Sequence, residues 1–190
     1  MPEPERRDSW YWEKNTDDQG RWKHAKDTPS GQDLAALRRG LGRPAGSVPQ
    51  MWPFYQAVVP DEHSPRLVAE HVALSLYGLH QQSKSTSMHR PGVGLGTALR
   101  DLSRKESVSE AAVTRRFNAA ATATSTDELV AHLRGLITQL RTHTIALDYS
   151  RLWRDLLTWS FPDGPGQVRR RWGMQFHAWQ STDGDKKPSA

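Results

Sequence analysis

The chain has 190 residues, with 26 Lys and Arg against 21 Asp and Glu for a formal net charge of +5, eight Trp and no Cys. The absence of cysteine excludes a disulfide scaffold, thiolate zinc sites, iron–sulfur clusters and thiol catalysis. Mean hydropathy is −0.75 and the isoelectric point about 9.7, a tilt toward a polyanionic partner.

Leu, Ile, Val and Phe supply only 34 of the 190 residues. The net charge is not extreme, however, and the tryptophans together with helical periodicity add apolar mass, so a folded, polar-surfaced protein is expected. The opening MPEPERRDSW lacks the apolar stretch of a secretory signal, and no run approaches the roughly 18 apolar residues of a membrane span. The expected location is cytoplasmic. The first eight residues and the last ten, STDGDKKPSA, read as frayed ends. Tryptophans can stack on bases, as the aromatics of single-strand binders do, and Trp10, Trp12 and Trp22 sit in the polar segment WYWEKNTDDQGRW, where the other reading is that they dock the segment onto the body.

In SGQDLAALRRGLG, Ser30 and Asp33 stand at capping-box spacing and Gly40 and Gly42 close the element, so a short helix is expected with Leu34, Leu37 and Leu41 on one face. After VPQMWPFYQAVVP, the pair Ser64–Pro65 starts a central helix. There Val68, Val72, Leu76 and Leu79 cover one side, Leu67 and Leu74 another, and Arg66, Glu70 and Tyr77 form a polar strip. The polar loop SKSTSMHRPGVGLG carries Lys84, His89 and Arg90 and leads into a helix that groups Leu95, Leu99 and Leu102. Residues 109–124 turn Val113, Phe117 and Ala120 inward and Arg115 and Arg116 outward. Ser125 and Glu128 form a capping box for the strongest helix, with Leu129, Leu133, Leu136 and Leu140 on one stripe. Asp148 or Ser150 opens a helix presenting Leu152, Leu156 and Trp159, and Pro165 opens a last one presenting Val168, Trp172 and Trp179. No alternating pattern of strand length occurs, so the fold class is all-α, a compact helical bundle of about seven to nine helices.

Few residues suggest chemistry. The string GVGLG, Gly92 to Gly96, lacks the third glycine of a dinucleotide fingerprint and the Gly-Lys-Ser/Thr of a P-loop, and reads as a turn into a helix. The eight His form neither His-x-x-x-His nor His-Glu-x-x-His, so no metal site and no cofactor are expected. Gly-x-Ser-x-Gly is absent, and the acid pairs Asp17/Asp18 and Asp61/Glu62 lie in polar stretches where nothing would tune a catalytic pKa, so the chain is not expected to be an enzyme. Trp153, Trp159, Trp172 and Trp179 read as core.

Arginines give the clearest pattern. Arg151 and Asp155, at i and i+4, fit an ordinary surface pair. Arg38/Arg39, Arg115/Arg116, Arg134/Arg141 and Arg169/Arg170/Arg171 have few acids within one helical turn, which would leave uncompensated charge suited to phosphates. Neighbouring arginines diverge by about 100° around a helix, so at most two of the last three share one groove.

The order MWPFY, SPRLVAEHVALSLYGLHQQSKS, GVGLGTALRDL, HLRGLITQLR and LDYSRLWRDLLTW resembles the CasB family, the small subunit of the type I-E CRISPR Cascade complex, over about residues 30–180. The resemblance implies an all-α, non-enzymatic protein of two small lobes, here 30–105 and 106–180, preceded by the aromatic segment 1–29 and followed by a disordered tail, 181–190. It implies as partners the crRNA-bound Cascade backbone subunits, the large subunit, a second copy in a head-to-tail dimer, and single-stranded DNA of the R-loop, with no membrane. A basic surface would guide the displaced non-target strand. Matching positions are Arg39 of LRRGLG, Arg66 of SPRL and Arg134 of HLRGL, with Arg169 and Arg170 standing for a basic pair near the C-terminus. With the grouped cations, the candidate nucleic-acid contacts are Arg38, Arg39, Arg66, Lys84, Arg115, Arg116, Arg134, Arg141, Arg169 and Arg170. The alternative is a structural adaptor whose arginines meet acidic protein surfaces. The segment WYWEKNTDDQGRW, residues 10–22, fits the family pattern least.

Overall fold

The computed structural model describes residues 9–56 and 64–178, and these form seven α-helices and two short 3₁₀ helices, Ala25–Asp27 and Pro49–Phe54, with no strand among them. The expected roles of Asp61/Glu62, Trp179 and the tail from 181 fall outside the described residues.

Helix α1 (Gly31–Arg38) starts where Ser30 Oγ accepts the Asp33 N–H at 3.0 Å. After it the chain turns at Gly40, pressed so closely on the core that a Cβ would strike Met51 Sδ and Ser75 Oγ, and at Gly42, whose φ of +71° favours glycine. Helix α2 (Pro65–Gln81) is the central element and packs against α1, α5 (Thr126–Thr142) and α6 (Tyr149–Trp159). On the other side, α3 (Leu95–Ser103) lies on α7 (Gly164–His177) and α4 (Glu110–Ala121), while α6 also contacts α7. One cluster of buried side chains runs from Trp12 and Leu34 through Leu76, Leu99, Phe117 and Leu136 to Trp172 and Phe176.

The apolar stripes lie where the spacing puts them. Leu95, Leu99 and Leu102 of α3, Val113, Phe117 and Ala120 of α4, Leu129, Leu133, Leu136 and Leu140 of α5, and Leu152, Leu156 and Trp159 of α6 are all buried. At the start of α5 only half of the expected capping box closes. Ser125 Oγ accepts the Glu128 N–H at 3.2 Å, but the Glu128 carboxylate reaches one residue further back, to the Thr124 N–H at 2.8 Å.

Two expectations are corrected. The polar strip of α2 is not solvated throughout, since Glu70 and Tyr77 are fully buried and only Arg66 stays exposed. Tyr77 is covered by the aromatic N-terminal segment, which docks. Trp12 is buried with its Nε1–H donating to Ser150 Oγ at 2.9 Å, its ring stacks with Trp10 at 5.1 Å, and Tyr11 meets Tyr77 edge-on at 6.1 Å. Glu70 in turn accepts the Gln56 backbone N–H. Helical periodicity cannot reveal a second layer supplied by a distant, irregular segment. The pair Arg151–Asp155 is the second correction. Asp155 is 3% exposed and holds Arg171 and the Trp172 Nε1–H, the latter at 2.7 Å, whereas Arg151 pairs with Asp148 at 3.7 Å.

The glycine string is explained by packing. Gly92 turns the chain with φ +84°, and a Cβ at Gly96 would meet the Trp172 carbonyl and the Phe176 nitrogen of α7. The loop before it is more ordered than its composition suggests. Ser87, Met88 and His89 are buried, and the Leu147 N–H donates to the Met88 carbonyl at 3.1 Å while the Arg90 N–H donates to the Leu147 carbonyl at 3.0 Å. Among the described residues no helix is long and apolar enough to cross a membrane.

Candidate nucleic-acid interface

The described residues hold 22 Lys and Arg against 14 Asp and Glu, a net +8 that exceeds the whole-chain value of +5. Where the acids go makes the imbalance sharper. Glu13, Asp17, Asp27, Asp33, Glu70, Glu128, Asp148 and Asp155 each accept at least one hydrogen bond from a backbone N–H, a hydroxyl or an indole. Ion pairs to Arg are confined, among the described residues, to Asp17–Arg21, Asp148–Arg151 and Asp155–Arg171. Asp17 was expected to be untuned. In fact the Arg21 backbone N–H, with further hydrogen bonds and the guanidinium, holds its carboxyl below the usual carboxylate range.

None of the ten candidate cations is among those pairs. The side chains of Arg38, Arg39, Arg66, Arg115, Arg116, Arg134 and Arg170 have no hydrogen-bond or ion-pair partner among the described residues, and all but the half-buried Arg38 are exposed. The other three are engaged by neutral groups. Lys84 Nζ donates to Thr144 Oγ1 at 2.8 Å, and Arg141 Nη1 donates to Gln82 Oε1 at 2.9 Å. Both cations therefore sit where α2 and α5 end, a position the helix dipole favours for positive charge. Arg169 Nη2 donates to the Ala123 carbonyl at 2.9 Å and its guanidinium lies over the Trp159 ring, 5.2 Å from the centroid.

The structure groups some of these residues. Arg134 on α5 and Arg43 line one groove with the 40–45 turn and with Val68, His71 and Val72 of α2, a space of about 750 Å³. Arg39 immediately precedes that turn, and Arg66 lies on the first turn of α2. The groove floor is fixed by neutral hydrogen bonds. The Tyr55 hydroxyl donates to His71 Nδ1 at 2.6 Å, leaving Nε2–H to donate to the Gly40 carbonyl at 2.9 Å. Burial holds the His71 imidazole below its ordinary pKa and pushes the Tyr55 phenol up to about 12. Arg115 and Arg170 line two other depressions, the first with Glu110 and Asn118 on α4, the second with Gln167 and Arg171 on α7 and Asp163 just before it. Neither belongs to the groove of Arg134.

Sequence reasoning missed Arg43, a neighbour of Arg134 only through the turn at Gly40 and Gly42. It also missed the cations of a second cleft, Arg90, Arg104 and Lys105. Arg104 and Lys105 directly follow α3, and Arg90 lies in a loop whose polar composition concealed its fixed backbone.

The family model for CRISPR-associated protein Cse2 matches residues 33–177. Among solved structures, CasB from Thermobifida fusca is 34% identical with a TM-score of 0.64, covering 77% of this chain and 84% of that one. M. ruber CasB is 24% identical with a TM-score of 0.60 over 82% and 89%. A chain of a CRISPR RNA-guided surveillance complex is 23% identical with a TM-score of 0.58 over 77% and 81%. These last two show likeness of fold. No curated protein matches the sequence.

Proposed function

The chain belongs to the CRISPR-associated Cse2 family, and on that premise we propose that it is a non-catalytic subunit of the type I-E Cascade surveillance complex that binds nucleic acid without sequence preference and steadies the R-loop by guiding the displaced strand. One observation carries this reading: among the described residues no carboxylate pairs with any of the ten candidate cations, whereas Arg21, Arg151 and Arg171 are neutralised. Guanidinium groups free of carboxylates bind phosphate oxygens through charge-assisted hydrogen bonds, and phosphates carry no base identity. Exchanging a DNA duplex for a guide heteroduplex is nearly balanced in free energy, so a few such contacts to the freed strand bias it.

A second reading, a structural adaptor, draws on the exposed Trp52 and Phe161, at 59% and 53%. Exposed aromatics of this size suit contact with protein neighbours, including the backbone and large subunits or a second copy arranged head to tail. The full chain titrated with labelled oligothymidylate across a salt series separates the two. Replacing Arg39, Arg66 and Arg134 with Ala should lower the slope of log K against log salt by about 2, at about 0.7 per phosphate contact on a single strand. An unchanged affinity and slope would refute the assigned residues, and no binding by the parent chain would leave the adaptor.

A further inference from the structure

We propose that a second cleft, built by the N-terminal aromatic segment against α3, is a stacking site for an unpaired nucleotide, with Trp22 as the platform for the base and Arg90, Arg104 and Lys105 as contacts for the flanking phosphates. The inference rests on the reading that this chain binds single strands. The cleft shares no lining residue with the groove of Arg134. Its volume is about 900 Å³, within the roughly 300–1,000 Å³ typical of ligand pockets.

The aromatic wall is preset. Asp17 accepts the backbone N–H groups of Gln19 and Arg21, each at 2.9 Å, and Gly20 takes φ +73° at the tip of this turn. The turn delivers Trp22, whose Nε1–H donates to the Ser85 carbonyl at 2.8 Å and fixes the plane of the ring. Trp22 is half-buried, and no other ring among the described residues packs on it, unlike Trp10, Trp12, Trp153, Trp159 and Trp172. Met88, Val93 and Ile145 add apolar lining, suited to the face of a base.

The charged rim is equally specific. Arg90, Arg104 and Lys105 are exposed with no side-chain partner among the described residues. Arg21 also lines the cleft but is committed to Asp17, and Asp101 is the one acid among the lining residues. Lys84 stands at the margin through its hydrogen bond to Thr144. Three uncommitted cations against one acid attract an anion, and a fixed indole lining the same cleft supplies what a nucleotide needs and a carboxylate does not. Stacking on such a platform is tolerant of base identity, because every base has a π-face.

The test compares affinity of the full chain for oligothymidylate and for an abasic oligonucleotide of equal length. The expected preference for the base-bearing strand is about tenfold. Trp22→Leu should bring the ratio to near one and leave the salt slope unchanged. Arg104→Ala with Lys105→Ala, both exposed just beyond the end of α3, should keep the ratio and lower the slope by about 1.4. Repeating the comparison with oligouridylate distinguishes an RNA strand from a DNA strand as the source of the nucleotide. Equal affinity of the parent chain for base-bearing and abasic strands overturns this inference alone and leaves a bare anion cleft that an acidic peptide would fill as well. Absence of binding to either strand defeats it together with the reading beneath it.

Discussion

Gly96 separates a packing role for the glycine string from a ligand-binding one. In Gly96→Ala the new methyl would meet the Trp172 carbonyl, the Gln175 Cβ and the Phe176 nitrogen. Two of these three are backbone, so no rotamer change relieves the clash and α3 must move off α7. Overpacking of this kind costs about 1–3 kcal/mol, and the upper end applies when backbone is struck. The displacement also strains the Gly96 N–H bond to Gln175 Oε1, 3.2 Å long, worth about 1 kcal/mol. Against this, Ala gains about 1 kcal/mol of helix propensity over Gly. The net loss is about 3 kcal/mol, which lowers Tm by about 6–12 °C for a chain of this size. Gly135 is the control: it is exposed within α5 and a Cβ there would meet nothing within 4 Å, so Gly135→Ala should raise Tm by about 2–4 °C. Thermal unfolding followed by circular dichroism reads both signs. If Gly96→Ala keeps its Tm yet loses affinity for oligonucleotides, the loop touches ligand and the packing argument is wrong.

Acid should destabilise the protein through His80. Burial, with Lys84 and Arg141 nearby, lowers its pKa from 6.5 to about 3. The unfolded chain therefore binds a proton that the folded chain refuses, so the stabilisation is complete above about pH 6.5 and is lost as pH falls toward 3, reaching about 2 kcal/mol by pH 5. His71 and His89, also lowered by burial, act in the same direction. Urea midpoints across this range should flatten in His80→Gln, and parallel curves would contradict the assignment. The last two adjacent arginines of α7 should behave differently. Arg171→Ala strips the ion pair from Asp155, whose carboxyl burial already pushes above its ordinary value. Because Arg171 is 44% exposed, the expected loss is about 1–2 kcal/mol rather than the 3–5 of a fully buried pair. Arg170→Ala should leave Tm within about a degree and reduce the salt slope by about 0.7; equal Tm losses in the two variants would show that their roles are misassigned.

What was legible in the sequence is what repeats locally. Leu129, Leu133, Leu136 and Leu140 recur at the helical period and Ser30 and Ser125 cap by local hydrogen bonds, so the helices followed from spacing alone. The burial of Tyr77 was not legible, because its cover, Tyr11 and Trp12, arrives from about 65 residues away in a segment without periodicity, and Glu70 is buried where Gln56, beyond the helix, donates its backbone N–H to the carboxylate. The arginine groups were visible as charge, but their gathering was not. Arg134 meets Arg43 only because α5 packs on α2 beside the tight turn at Gly40. Arg90, Arg104 and Lys105 likewise share a cleft through the pairing of the 88–90 backbone with Leu147, an interaction that side-chain patterns do not encode.

The charge balance shows why counting acids against bases understates the positive surface. A carboxylate that caps a helix or a turn keeps its charge but points it at N–H groups of its own backbone, and its field there is largely absorbed by those dipoles. Asp148 accepts the Arg151 N–H at 3.0 Å and the Gly92 N–H at 2.8 Å, Asp155 and Glu70 are buried, and Glu128 is held by Thr124. Of these acids Asp155 alone also pairs with a guanidinium on another element, Arg171 of α7; the others are poorly placed to do so. The irregular connections of this fold need many backbone partners, and the chain meets that need with carboxylates. The same use of carboxylates that closes the turns leaves most arginines of the described residues without an acidic partner, so the structural demand for caps and the excess of exposed positive charge have one cause.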